Sequence, residues 1–131
     1  MNHVARHAGC ALLMLAAAPA QAALPPGAGY DDAIRCAAAD MVMAGMLDTP
    51  GATAQDRAIV AQHKALSALW LDDATKLVKD KRKVLSDLEA KGASLMSRLQ
   101  AARSEQDITK AIEAARDGCA AFEQAYAKRP G

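Results

Sequence analysis

Cysteine limits most tightly what this chain can fold into. It occurs at Cys10, Cys36 and Cys119. The first of these falls in a stretch that reads as a secretory signal. Met1 to Gly9 holds Arg6 and no acid, Cys10 to Ala18 is an uninterrupted apolar run, and Ala20-Gln21-Ala22 offers small residues to a signal peptidase. Cleavage after Ala22, with Ala20 as the runner-up, removes Cys10 and leaves one pair of cysteines. The apolar run falls short of the roughly 20 residues that cross a bilayer, and the residues before Cys10 lack the bulky aliphatic of a lipobox. The expected location is the periplasm or the exterior, where paired cysteines oxidise.

A bond between Cys36 and Cys119 requires their Cα atoms to come within about 7 Å. The chain between them is helical in pattern: Ala, Leu, Lys, Asp and Arg dominate, and aromatics number one Trp, two Tyr and one Phe. The expectation is an all-α fold. Residues 23–30 carry Pro25, Pro26, Gly27 and Gly29 and read as a flexible tether. Residues 31–128 read as a single helical domain and 129–131 as a frayed C-terminus.

The first helix runs from Asp31 to Leu47. Asp31 or Asp32 can cap it, and Ile34, Ala37, Ala38, Met41 and Gly45 form its buried stripe. Asp48-Thr49-Pro50-Gly51 stops it. Thr53, three residues before Asp56, caps the second helix. From there Ile59, Leu66, Trp70, Leu77, Val84, Leu88, Leu95 and Leu99 recur in steps of seven and four, with no proline and only Gly92 as far as Ala102. A last helix begins near Ser104, three residues before Asp107. It uses Ile108, Ala111, Ile112, Ala115, Cys119, Phe122 and Tyr126 until Lys128.

Period alone allows a three-helix alternative with one long central helix. Measured from the turn at Asp48, Cys36 would then lie at a height of about 16 Å and Cys119 at about 50 Å, beyond the reach of a bond. A fold-back near residue 75 cancels the difference. The expected architecture is therefore an up-and-down four-helix bundle, reversing between Leu71 and Lys83, with the first and last helices joined by the disulfide. Asp72-Asp73 could start the third helix, and the basic run Lys79 to Lys83 interrupts the apolar seam there. In the chain-entropy model such a cross-link is worth roughly 4 kcal/mol.

Chemistry is thinly signalled. Without residues 1–22 the chain has fifteen basic and fifteen acidic residues, so no net field draws it to nucleic acid. Met41, Met43 and Met46 carry soft thioethers of the kind that hold Cu(I), which His63 or Met96 could complete. On a helix Met43 and Met46 share a face, while Met41 and Met43 point about 160° apart. The plainer reading makes these methionines core fillers. His63 is the one histidine left after cleavage and reads as structural; a haem between it and a methionine has no C-x-x-C-H motif behind it. No nucleophile has an identifiable base, so no catalytic residue is assigned.

Asp31-Asp32 and Asp72-Asp73 suit helix starts better than paired acid-base work. Lys76, Lys79, Lys81, Arg82 and Lys83 form a basic run diluted by Asp73, Asp80 and Asp87. It is either a solvated face or a contact for an anionic partner. Trp70 is either core or an interface anchor. The expected function is a non-catalytic periplasmic interaction module that binds a protein or envelope component through a helical face. Trp70, Lys79, Lys81, Arg82 and Lys83 are its candidate contacts, and no cofactor or membrane span is expected in the mature chain. The alternative is a periplasmic copper carrier using Met41, Met43 and Met46, with Met43, Met46 and His63 as ligands.

Overall fold

A computed structural model describes residues 24–129. The expected signal segment and its cleavage site, with Ala23, Pro130 and Gly131, lie outside the described residues. The described chain folds as α1 (Tyr30–Leu47), α2 (Ala54–Val78), α3 (Lys81–Ala101), α4 (Glu105–Ala115) and α5 (Cys119–Ala127). The all-α class stands. So does the cross-link: Cys36 and Cys119 are disulfide-bonded with Cα atoms 5.6 Å apart, and both are fully buried.

Helix starts reflect the local chemistry. The Oδ2 of Asp32 accepts the N–H of Gly29 at 2.9 Å, so Asp32 caps α1 from its third position while Gly29 is the N-cap residue. Thr53 and Asp56 cap each other's backbone N–H at 3.0 and 2.8 Å. Ser104 Oγ accepts from Asp107 N–H at 3.1 Å. Residues 24–29 do not behave as a free tether. Pro25 is buried, Ala28 N–H donates to Pro25 carbonyl at 3.0 Å, and Leu24 and Ala28 pack on the core.

The reversal between α2 and α3 falls inside the expected window, though neither glycine nor proline makes it. Lys79 adopts φ 54°, ψ 29°, the left-handed region, and its N–H closes on Thr75 carbonyl at 2.7 Å. Asp80 then caps α3, accepting Lys83 N–H at 3.0 Å. Asp72 and Asp73 therefore do not start a helix; both lie within α2, Asp72 paired with Lys76 and Asp73 buried. The last helix is also shorter than expected. Gly118 takes φ 73° and separates α4 from α5, so Cys119 opens α5 instead of standing mid-helix.

Trp70 is fully buried at the centre of the core, which corrects its place among the partner contacts. Its indole meets Phe122 and Tyr126 edge-to-face at centroid distances of 6.1 and 5.1 Å. Ile34, Ala33, Ala37, Ala74, Val84 and Leu88 complete this cluster. Alanines on α1 let α2 and α3 approach closely. Two expected stripe positions on α1, Met41 and Gly45, are instead exposed, because burial on this helix runs through Ala33, Ala37, Asp40 and Ala44. Leu77 is 57% exposed, since it sits in the last turn of α2, beyond the layer centred on Trp70.

A lysine held at positive φ is strained by about 1 kcal/mol relative to glycine. Lys79→Gly should accordingly raise the unfolding free energy by about 0.5–1 kcal/mol in urea titrations. A lower midpoint would show that the Lys79 side chain contributes more than its backbone loses.

Candidate functional site

Two hollows carry the functional possibilities, on different faces. The larger, of about 780 Å³, is an apolar groove between α1 and α3. It is lined by Met41, Met46, Leu85, Leu88 and Met96 together with the small residues Ala38, Gly45, Gly92 and Ala93. Met41, Met46 and Met96 are 48, 44 and 40% exposed, so these side chains face solvent and do not fill the core. A Cβ added at Gly45 or Gly92 would meet no atom within 4 Å. A mid-helix glycine costs about 1 kcal/mol relative to alanine.

The second hollow, of about 570 Å³, lies between α2 and α5 over a buried charged cluster. Asp40 of α1 is fully buried, and its Oδ1 takes both His63 Nδ1, at 2.8 Å, and Arg116 Nη1. The other oxygen, Oδ2, has no hydrogen-bond partner among the described residues. Arg116, which caps the C-terminus of α4, also reaches Glu123 Oε2 at 3.0 Å and so bridges the two carboxylates. Trp70 Nε1–H donates to Glu123 Oε1 at 3.1 Å. Burial, and then the neighbouring Asp40 carboxylate, push the Glu123 carboxyl up to about 7 against the pull of Trp70 and Arg116. His63 is held below its ordinary value by burial and by the Arg116 charge. One turn further along, Asp73 accepts from Tyr126 Oη at 2.9 Å and from Arg129 Nη2 at 2.6 Å. These contacts bind α5 to α2.

The sequence-derived candidates are divided between these places. Met41 and Met46 meet Met96 at the groove, but Met43 lines neither hollow and His63 lines the other one. Met43, Met46 and His63 are thus not gathered into one pocket. Lys79, Lys81 and Arg82 are exposed near the start of α3. Lys83 is engaged within the chain: it pairs with Asp87 and lies 5.0 Å over the Tyr30 ring, while Tyr30 Oη donates to Asp87 at 2.6 Å. Sequence pattern does not single out Arg116, Glu123 or the buried role of Asp40. A signal existed, because Asp40 is one turn after Cys36 and Glu123 one turn after Cys119, so each carboxylate shares a helix face with a cysteine of the pair.

Among the described residues no helix is long and apolar enough to cross a membrane, and no three His, Cys, Asp or Glu side chains group to hold a metal ion. No family model, curated protein or solved structure matches the chain.

The cluster makes stability pH-dependent in two opposed ways. A carboxyl whose pKa is raised on folding binds its proton more tightly in the folded state. The Glu123 contribution is therefore complete below its ordinary range and is lost as pH rises towards 7. A histidine held down on folding removes stability as pH falls through the range of a free histidine. Comparison with Glu123→Gln isolates the first effect. The melting temperature of the parent relative to this variant should fall between about pH 5 and 7.5. A difference that is flat or rising across that interval contradicts the assignment.

Proposed function

We propose that this chain is an exported, non-catalytic binding module that receives a helix of a partner protein in the groove between α1 and α3. The observation that carries the reading is the groove itself. It is an apolar hollow lined by exposed methionines and leucine, with open space beside its two glycines. Flexible thioethers adapt to the irregular apolar face of an amphipathic helix, and contiguous exposed apolar surface of this kind marks interaction sites. Export is supported by the basic, apolar and small-residue zones of residues 1–22 in their order, and by a cysteine pair that persists as a bond where thiols are not kept reduced.

A second reading, a soft-metal carrier, draws on Met41, Met46 and Met96 lining the same groove. The variant carrying Leu at these three positions separates the two. It keeps an apolar groove for a helix and removes every thioether from it, so it should abolish Cu(I) binding in a titration only if the metal reading holds.

Photo-crosslinking in the envelope tests the binding module. A benzophenone side chain at Leu85 or Met96 should capture a partner protein that one at Glu113, outside the groove, does not. Gly45→Leu with Gly92→Leu should abolish the capture. Both glycines are in helices with open space around the missing Cβ, so this variant should be as stable as the parent or more so. Equal capture from both faces, or capture that survives the filled groove, contradicts the proposal.

A further inference from the structure

The start of α3 breaks a local rule. Lys81, Arg82 and Lys83 occupy its first turn with no acidic residue among them. Cations there face the positive end of the helix dipole, which disfavours them. Lys83 is relieved by Asp87. Lys81 and Arg82 are exposed and have no ion-pair partner among the described residues. They stand four and three residues before Leu85, so helical periodicity puts them on the groove-lining face, one turn beyond its end. Lys79, exposed beside them, adds a further positive charge, which the carboxylate of Asp80, the N-cap residue, offsets, so Lys81 and Arg82 remain the excess.

The groove presents a single charged lining residue, Glu89. Its α3 wall from Leu85 to Met96 is about 16 Å long at 1.5 Å per residue, three turns of helix. A ligand matched to this surface is apolar over three turns and anionic where it passes Lys81 and Arg82. The small residues Ala38, Gly45, Gly92 and Ala93 in its lining let a rod approach between the two helices.

On the groove reading above, we infer that the occupant is an amphipathic helix whose terminal turn carries acidic side chains over Lys81 and Arg82. The anionic turn would offset the excess positive charge at the start of α3 and set which way the helix lies in the groove.

Two synthetic helical peptides with the same leucine face test this, one with glutamates and the other with lysines in a terminal turn. Fluorescence anisotropy with the oxidised protein should give at least about tenfold tighter binding for the glutamate peptide, a preference that shrinks as salt rises. Lys81→Glu with Arg82→Glu should reverse the preference. The same change places acids at the positive end of a helix dipole, so the fold should be retained and slightly stabilised. Equal affinities for the two peptides would overturn the acidic-turn inference and leave the groove reading standing. Failure of both peptides would also overturn it, and the crosslinking result with the filled groove then decides the groove reading separately. Preferential binding of vesicles of anionic lipid, or salt-sensitive self-association removed by the same two substitutions, would overturn it in favour of a membrane or a second copy.

Discussion

The bond between Cys36 and Cys119 decides where the last quarter of the chain lies. Alone, α5 could not hold itself in place, since its nine residues are too few for an independent helix. The bond anchors its first residue against the middle of α1. Registered that way, α5 lays Phe122 and Tyr126 on the indole of Trp70 and brings Glu123 within reach of Trp70 and Arg116. Arg35 adds a second tie at the same level, donating to Ala115 carbonyl at 2.8 Å. The buried charges depend on this registration, because Arg116 reaches both Asp40 and Glu123 only while α4 and α5 stay docked. Exposing one partner of such a set and leaving the other buried costs several kcal/mol.

Much of the frame could be read from the residues. Helical period, the caps at Thr53 and Ser104, and the stop at Asp48 to Gly51 are local signals with local causes, and each holds in the fold. The reversal after Val78 is different: nothing at Lys79 announces it. It comes from requiring two cysteines to meet, which is a long-range constraint that period cannot express. What stayed hidden was decided by tertiary contact. Asp73 reads as a cap and is instead the buried acceptor of Tyr126 and Arg129. The methionines read as core fillers, yet Met41, Met46 and Met96 face outward, because alanines on α1 suffice to pack against its neighbours.

Local preferences are violated at several places besides the buried charges. Lys79 takes a left-handed conformation, the first turn of α3 carries cations against its dipole, and Gly45 and Gly92 interrupt good helix formers beside empty space. None of these improves the folded chain. Gly45 and Gly92 line the groove between α1 and α3, and Lys81 and Arg82 stand one turn beyond its Leu85 end. The opposite side, where α5 closes over Trp70, is densely bonded. The fold thus divides into a densely bonded side and an open groove.

On this division the cross-link docks α5, while α1, α2 and α3 form the groove through their own packing. Hydrogen exchange on the oxidised and reduced protein measures this directly. Reduction should strip protection from the amides of α5 and expose the indole of Trp70, with a red shift in its fluorescence, while amides of α1 and α3 along the groove stay protected. Unchanged protection in α5, or an even loss across all helices, would contradict this division of the fold.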